Sequence, residues 1–420
     1  MGGHGRAFDT TRFFIVCLNS LGSPYGSASP VTNKDGDPNG QRYGPEFPLT
    51  TIRDDVKLVL DDLGVRQIAS VVGGSMGGML VLEYAYFGPS YVRTIVPLAT
   101  SSRHSAWGIS WGEAQRQSIY CDPKYNYGDY PFEDPPAAGL GAARMSALLT
   151  YRSRDSFESR FGRNTLDPSQ KQGINGDQRS LTPSNEHWAM HNDGHRATRP
   201  HRASSALGNM TPPTPSTDTP STIPNNKSDH FIDPQFHGAT RSSPPTPPTP
   251  VTDRKRATTY FSAQSYLRYQ GEKFVKRFDS NCYIAITRKL DTHDVSRHRV
   301  PPETPNAVAV ALSRIKQPTL VIGIESDGLF TFAEQQEIAA SIQGARLRSI
   351  DSPEGHDAFL LQFEQVNRHI LEFFNEVLPD IMQTPGRTGE LYDEVDLNGA
   401  GEVTKTSTFG EAEVDDITAW

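Results

Sequence analysis

One serine in this chain has the sequence context of a catalytic nucleophile. Ser75 is the centre of a G-x-S-x-G pattern over Gly73–Gly77, which follows the apolar run Ile68–Val72 and precedes the helix-forming run Gly78–Ala85. A strand, a tight turn with serine at its tip and a helix together predict a nucleophile elbow. Glycines are expected at Gly73 and Gly77 because the serine is strained and side chains two residues before and after it would collide with the incoming strand and the outgoing helix. The alternative is a chance match in a glycine-rich turn.

A nucleophilic serine needs a base, and the base needs a carboxylate that orients it. Asp327 lies in the loop that leaves the apolar strand predicted at Gln317–Ile324. His356 follows another predicted strand, Ala345–Ile350, and precedes a short helical run. We interpret Asp327 as the orienting acid and His356 as the base, because both follow strand ends in the order serine, acid, histidine. Glu325 competes for the role of the acid, and a turn aspartate and a capping histidine are the structural alternatives.

The composition indicates a globular enzyme with a long interruption. Only 35% of the 420 residues are hydrophobic, which is low for a globular protein. The deficit is local, since residues 164–258 are rich in Pro, Ser, Thr, Asn and His and include the runs Thr211–Pro215 and Ser243–Pro250. Such a segment cannot bury enough apolar surface to offset its ordering entropy, so we expect a disordered spacer, although proline-rich runs can also bind SH3 or WW modules. The acidic tail at 384–420 is also expected to be disordered and carries much of the net charge of −8.

Several functional classes have no support in the sequence. The three cysteines, Cys17, Cys121 and Cys282, are few and scattered, which argues against a disulfide scaffold and fits a reducing compartment. No C-x-x-C or H-x-x-H spacing indicates a metal site. No apolar run is long enough for a transmembrane helix, no secretory signal is visible, and the mild negative charge gives no reason to expect nucleic acid binding. We therefore expect a cytoplasmic enzyme that binds no metal, membrane or nucleic acid.

The order of predicted elements places an α/β core on both sides of a helical insertion. The apolar run Phe13–Asn19 predicts a buried strand, Ile52–Leu63 has helical spacing, and Thr94–Ala99 predicts a further strand. Helical, aromatic-rich stretches at 105–163 and 260–291 flank the segment that we expect to be disordered. An interruption of this kind in an α/β core is where a lid over an active site is usually inserted.

These elements divide the chain into consecutive segments. The α/β core occupies 1–104, with the elbow, and 301–383, with the aspartate and the histidine. Between them we expect a lid in two parts at 105–163 and 259–300, separated by the insert at 164–258; the tail at 384–420 follows the core.

Short motifs spread along the chain match a known enzyme family. They cover roughly Gly5 to Met382 apart from the insert, and the main ones are Cys17–Ser27, Tyr43–Pro48, Thr51–Asp55, Gly74–Met79, Trp111–Gln117, Ser265–Gly271, Leu290–Asp294, Ser326–Phe330 and Gly355–Asp357. The chain resembles the homoserine O-acetyltransferases, in particular their fungal branch, within the α/β-hydrolase superfamily. This resemblance implies a mostly parallel sheet with helices on both faces and a helical lid insertion.

The resemblance also implies a ping-pong acyl transfer. Ser75 would attack the thioester of acetyl-CoA with His356 as base, and CoA would leave an acetyl-serine behind. The hydroxyl of L-homoserine would then take the acetyl group, giving O-acetyl-L-homoserine for methionine biosynthesis. Asp327 would hold the imidazole, and the backbone N–H of Met76 would stabilise the oxyanion. Acetyl-CoA is a co-substrate in this scheme, and no bound cofactor is implied.

Three further residues match the family's acceptor-binding positions. Arg144 corresponds to the arginine that binds the homoserine carboxylate, and Tyr151, seven residues later, to a supporting tyrosine on the same helical face. Asp357 corresponds to the ligand of the substrate ammonium. Arg144 as a surface lid residue and Asp357 as a helix cap are the structural alternatives. A homodimer through the lid helices is a further expectation.

The chain departs from the family pattern at its N-terminus. Family members have some tens of residues before the stretch that begins near Gly5, and these supply the first strands and the loop with a second oxyanion N–H. The resemblance therefore predicts an N-terminally truncated member with exposed sheet edges and one oxyanion donor fewer. The alternative functions are a related O-acetyltransferase acting on serine or deacetylcephalosporin C, a non-catalytic remnant, and a plain esterase.

Overall fold

The computed structural model describes residues 2–38, 40–54, 58–165, 191 and 261–386. The predicted disordered insert at 164–258 and the acidic tail at 384–420 lie almost wholly outside these residues, and the expectations about them stay predictions. In the described part of the chain, no helix combines the length and apolar character needed to cross a bilayer.

The described strands form one parallel sheet. They are β1 (Ile68–Gly74), β2 (Val92–Leu98), β3 (Leu320–Ile324) and β4 (Arg346–Ile350), and they pair in the order β1-β2-β3-β4. These four strands are the ones predicted by the apolar runs Ile68–Val72, Thr94–Ala99, Gln317–Ile324 and Ala345–Ile350. Pairing of β2 with β3 joins two parts of the chain that the helical insertion separates.

The strand predicted at Phe13–Asn19 is wrong. The structure has no strand there, and Phe14 and Ile15 are 78% and 45% exposed. An apolar run becomes a strand only where a neighbouring strand takes up its backbone hydrogen bonds. In the described part of the chain β1 is an edge strand, paired with β2 alone, so Phe13–Asn19 has no neighbour of this kind.

Helices surround the sheet and occupy the insertion. In chain order the described helices are α1 (Leu58–Asp62), α2 (Met76–Ala85), α3 (Ala106–Tyr120), α4 (Ala137–Tyr151), α5 (Arg154–Arg160), α6 (Ser262–Val275), α7 (Ser280–Asp291), α8 (Ala307–Leu312), α9 (Phe332–Ser341), α10 (Ala358–Leu361), α11 (Phe363–Val377) and α12 (Pro379–Met382). Short 3-10 helices lie at Lys34–Gly36, Gly44–Glu46, Ile52–Asp54, Asn126–Gly128 and Gly355–Asp357. The single helix predicted at Ile52–Leu63 is thus described as a 3-10 turn followed by α1, with residues 55–57 outside the described chain.

Each face of the sheet has its own hydrophobic core. Alternation along β2 directs Ile95 to one face and Val96 to the other. The first core contains apolar residues of α2, α8 and α9, and the second contains those of α11. The sheet therefore carries helices on both faces, as the resemblance implies, and its strand ends are held rigidly between two packed layers.

Helices α3, α4, α6 and α7 pack on one another through a smaller core. Its buried members are Ile119, Leu140, Ala143, Phe274 and Tyr283. The helical character predicted for residues 105–163 and 260–291 is confirmed in their described parts. The division into core, lid and insert segments stays a prediction, because secondary structure alone does not delimit domains.

Candidate active site

Ser75 lies at the sharp turn between β1 and α2. Its backbone has φ 58° and ψ −126°, a conformation that costs on the order of 1–3 kcal/mol and persists only where surrounding structure enforces it. The N–H of Ser75 donates to the carbonyl of Leu98 at 3.0 Å, and the hydroxyl of Thr100 donates to the carbonyl of Ser75 at 2.7 Å. Strand β2 and the residues after it therefore hold the serine in its strained turn.

The glycines of the elbow differ in what they do. A Cβ at Gly73 would overlap the carbonyl oxygen of Gly77, and a Cβ at Gly74 would overlap the ring of Phe359. These two positions require glycine because of close approach. At Gly77 a Cβ would meet nothing within 4 Å, so the expected collision at that position is wrong. The backbone of Gly77, not its lack of a side chain, makes the turn tight.

The structure brings Asp327 and His356 together at the ends of β3 and β4. Oδ2 of Asp327 lies 2.7 Å from Nδ1 of His356, and both residues are 4% exposed. Oδ1 accepts hydrogen bonds from the backbone N–H groups of Leu329 at 2.8 Å and Phe330 at 3.0 Å. Glu325, the competing carboxylate, is exposed. Asp327 is therefore the carboxylate that orients the imidazole.

The electrostatic surroundings of His356 favour its protonated form. Burial by itself lowers the pKa of His356, but the charge of Asp327, its hydrogen bond and the charge of Asp357 together outweigh burial. The pKa of His356 is consequently raised above its usual value of 6.5. An imidazole in this setting is therefore stabilised when it takes up a proton.

Ser326 connects the two loops that carry this pair. Its hydroxyl donates to the carbonyl of Ser352 at 2.7 Å and accepts from the N–H of Gly355 at 3.1 Å. No pattern in the sequence marks Ser326 itself as a functional residue. The available signal was its position beside the predicted acid at a strand end.

A cavity of about 550 Å³ opens in front of the elbow, and Ser75, Met76, Arg144 and Tyr151 all line it. Met76 is the first residue of α2, so its N–H belongs to the N-terminal group that has no acceptor within the helix. Much of the remaining wall consists of one face each of α3 and α7, whose lining residues follow helical spacing: Gly108, Trp111, Gly112, Gln115, Tyr283, Ile286, Thr287, Leu290 and Asp291. The helical insertion therefore forms much of the wall of the cavity that Ser75 faces.

Arg144 is a buried residue of the cavity wall, and Tyr151 lies next to both it and the histidine. It is 3% exposed, and its guanidinium carbon lies 5.4 Å from the ring centroid of Tyr151 and 4.8 Å from that of Phe274. The ring centroid of Tyr151 is 6.3 Å from that of His356. Arg144 and Tyr151 thus share one helical face, as their spacing predicts, and that face points at the site.

Asp357 occupies a different environment from the one expected. Its Oδ2 lies 3.0 Å from Nε of Arg152, whose guanidinium also pairs with Glu354. The described residues that line the cavity do not include Asp357. No role for Arg152 is predicted from the sequence. Its position directly after Tyr151 was the only feature that could have indicated one.

The sequence matches the family model described as alpha/beta hydrolase fold over residues 4–235. It is 67% identical to the homoserine O-acetyltransferase of Emericella nidulans, across 100% of this chain and 83% of the relative. It is 49% identical to the homoserine O-acetyltransferase of Saccharomyces cerevisiae, across 100% of this chain and 82% of the relative.

Solved structures share the fold at low sequence identity. The homoserine O-acetyltransferase from Bacillus anthracis superposes with a TM-score of 0.61 at 16% identity, covering 89% of this chain and 79% of that chain. Esterase E22 does so with a TM-score of 0.59 at 19% identity, covering 89% and 80%. These likenesses show the α/β-hydrolase fold, whereas the whole-length sequence identities show more: the chain belongs to the homoserine O-acetyltransferase family.

Proposed function

We propose that the protein transfers the acetyl group of acetyl-CoA to the hydroxyl of L-homoserine, giving O-acetyl-L-homoserine and CoA for methionine biosynthesis. The observation that carries this proposal is the shared cavity, in which a strained Ser75 and a buried Arg144 face one space. A serine in a strained turn is suited to act as the nucleophile of an acyl transfer, and a buried arginine is suited to bind an acceptor that carries a carboxylate. Membership of the homoserine O-acetyltransferase family supports the same reaction.

The first half-reaction acetylates Ser75. His356 takes the proton from the Ser75 hydroxyl as Oγ forms a bond to the thioester carbonyl carbon. The tetrahedral intermediate then breaks its carbon–sulfur bond, and the CoA sulfur leaves with the proton from His356. Asp327 holds the imidazole through Nδ1, so that Nε2 is the nitrogen that exchanges the proton.

The oxyanion of each tetrahedral intermediate requires a hydrogen-bond donor. The N–H of Met76 serves this role, because it is the first N–H of α2 and Met76 lines the cavity beside the nucleophile. One such donor contributes about 3–4 kcal/mol of transition-state stabilisation in comparable sites.

The second half-reaction uses the same groups in reverse. His356 takes the proton of the homoserine hydroxyl, whose oxygen attacks the acetyl carbonyl on Ser75. Collapse of the intermediate breaks the bond to Oγ, and Ser75 regains the proton from His356.

Arg144 binds the α-carboxylate of the acceptor in this scheme, supported by the ring of Tyr151. A buried guanidinium suits a carboxylate because its planar fork makes two parallel hydrogen bonds. Asp357 is proposed for the acceptor ammonium, and in that role it shares its carboxylate with Arg152.

The test is to trap the acetyl-enzyme. After the protein is mixed with acetyl-CoA, mass spectrometry of its peptides should locate one new acetyl group on Ser75, and Ser75→Ala should remain folded without acquiring it. Acetylation at another residue, or turnover with no acetyl-enzyme, would rule out the ping-pong scheme.

We also propose a homodimer that forms through α3 and α4. Trp107 and Ile109 on α3 and Leu149 on α4 are exposed apolar side chains, which a partner subunit would cover. Sedimentation equilibrium should give twice the chain mass, and Ile109→Glu should shift the protein to the monomer. A wild-type monomer at micromolar concentration would refute the dimer.

The cytoplasm is the proposed compartment. Cys17, Cys121 and Cys282 are all free thiols, and free thiols persist in a reducing environment. Fractionation of cells that express a tagged chain tests this assignment.

A further inference from the structure

Aromatic rings and guanidinium groups form a row of successive contacts that connects His356 to residues lining the cavity. Its inner half runs from His356 to Tyr151, with ring centroids 6.3 Å apart, and on to Arg144, 5.4 Å from the Tyr151 centroid. Arg144 then lies 4.8 Å from the centroid of Phe274. In this inner half Tyr151 is partly exposed and the other three residues are buried, and all four belong to the site already described.

The outer half of this row reaches the surface. The guanidinium carbon of Arg277 lies 5.4 Å from the centroid of Phe274, and the ring of Phe278 stacks on Phe274 at 4.9 Å and 17°. Tyr25 donates its hydroxyl to the carbonyl of Arg277 at 3.0 Å and packs edge-on against Phe278 at 5.9 Å. Tyr25 is 41% exposed, and Tyr25, Arg277 and Phe278 all line the cavity. We call these three residues the outer rim.

The cavity therefore has two cationic positions at different depths. Among the described residues that line it, Arg144 and Arg277 are the two whose side chains are always positively charged. Arg144 is buried, whereas Arg277 is partly exposed. A small amino acid acceptor brings one carboxylate, which the buried Arg144 takes in the proposed reaction. The second guanidinium, on the partly exposed Arg277, suits a second anion.

We propose that the outer rim binds the nucleotide end of the acyl-CoA donor, with Arg277 on a phosphate and the rings of Tyr25 and Phe278 against the adenine. This inference rests on the proposed acetyl-CoA-dependent reaction. An acyl-CoA carries its thioester at one end of a long arm and its phosphates and adenine at the other. When the thioester is at Ser75, the charged end must lie toward the cavity mouth. Guanidinium groups bind phosphates in a bidentate manner, and bases stack on aromatic rings.

The neighbouring charges offer a simpler explanation for part of this surface. Lys273 lies in the last turn of α6, and the exposed Lys276 follows that helix directly. Cations at a helix C-terminus complement the helix dipole, which accounts for both lysines. It does not account for Arg277 lining the cavity, a position that Lys276 lacks. Lys276→Gln is therefore a matched control for Arg277→Gln.

The decisive experiment compares a whole donor with a truncated one. For the wild-type protein, acetyl-CoA should acylate Ser75 with a higher kcat/KM than S-acetylpantetheine, which lacks the nucleotide. Arg277→Gln should lower kcat/KM for acetyl-CoA about 10- to 100-fold, the loss of a charge-assisted contact. It should leave kcat/KM for S-acetylpantetheine and the KM for homoserine unchanged, and Lys276→Gln should cost less than about fivefold.

A binding measurement keeps this test independent of turnover. Adenosine 3′,5′-bisphosphate, titrated calorimetrically into the full chain, should bind the wild type and Lys276→Gln and bind Arg277→Gln at least about tenfold more weakly. If the protein fails to acetylate homoserine but shows this pattern, the proposed function is wrong and the subsite stands. The subsite would be overturned if Arg277→Gln lowered kcat/KM equally for acetyl-CoA and S-acetylpantetheine, or if Lys276→Gln lost as much affinity and kcat/KM as Arg277→Gln. It would also be overturned if the wild-type protein had the same kcat/KM for both donors.

Discussion

Asp327 shows how the hydrogen bonds of a single carboxylate fix the position of the imidazole in the proposed catalytic pair. Its two oxygens accept from the imidazole and from the N–H groups of Leu329 and Phe330, so the side chain has little freedom to rotate. The carboxylate of Asp357 lies nearby and is held by Arg152. The negative charges of Asp327 and Asp357 both raise the pKa of His356. The protonation of this histidine therefore reports on both carboxylates.

The first prediction concerns pH. We expect the acylation rate to fall as pH is lowered through the pKa of His356, because only the neutral imidazole accepts the Ser75 proton. Since Asp357 raises that pKa, Asp357→Asn should move the fall to lower pH. The measurement is the rate of CoA release in a stopped-flow burst across pH. Glu354→Gln, which alters the same Arg152 network, should leave the profile in place; an unchanged profile for Asp357→Asn would contradict the expectation.

The second prediction concerns Arg144. Arg144→Lys keeps the charge but loses the planar pair of donors, so the KM for homoserine should rise about 10- to 100-fold. The burst of CoA release should not change, because acetyl-CoA has no α-carboxylate. Arg163→Lys, at an exposed arginine, is the control. A burst that slows as much as turnover would show that Arg144 supports the cavity wall and does not bind the acceptor.

At the element scale, the elbow depends on how closely β1 and α2 approach each other. The carbonyl of Gly77 lies where a side chain on Gly73 would have to go, and the ring of Phe359 from α10 closes over Gly74. The strained serine is therefore held by contacts among three elements and not by the turn alone.

The third prediction separates the two glycines of the motif. Gly73→Ala should destabilise the fold by about 1–3 kcal/mol, because its methyl group overlaps backbone that must shift, and acylation of Ser75 should be lost. Gly77→Ala should melt close to the wild-type temperature, since its methyl group meets nothing within 4 Å. Thermal unfolding of both variants is the measurement, and equal losses of stability would refute the distinction.

At the scale of the whole molecule, the site is assembled from distant parts of the chain. Leu98 of β2 pairs with Ile322 of β3, and this contact brings the loop of Asp327 beside the elbow. The ends of the long insertion also meet, because Thr165 and Phe261 form an isolated antiparallel bridge and the N–H of Ser262 donates to the carbonyl of Asn164 at 2.8 Å.

The fourth prediction follows from that bridge. Deleting residues 170–255 should leave the melting temperature and turnover nearly unchanged, because a segment of this composition supplies no core and its two ends already lie side by side. Differential scanning calorimetry and steady-state assays check this. Deleting 262–270 from the packed helix α6 should instead abolish folding. A large fall in melting temperature or turnover after deletion of residues 170–255 would show that the insert packs on the rest of the protein.

The sequence alone determined the local features of the site. The G-x-S-x-G pattern between an apolar run and a helical run was enough to locate the elbow, and strand ends were enough to locate Asp327 and His356. The structure has the strained serine turn and the Asp327–His356 pair at these positions, because the residues that set each local conformation lie within a few positions of one another. Their catalytic roles stay a prediction. The spacing of Arg144 and Tyr151 likewise placed them on one helical face.

Only the tertiary structure decided which elements meet. Phe13–Asn19 has the composition of a strand, but a strand needs a hydrogen-bonding neighbour, and the described chain provides none there. Asp357 pairs with Arg152, and the outer rim joins Tyr25 to Arg277 across more than half of the chain. Contacts of this kind depend on how helices and loops pack, and no local pattern of residues encodes them.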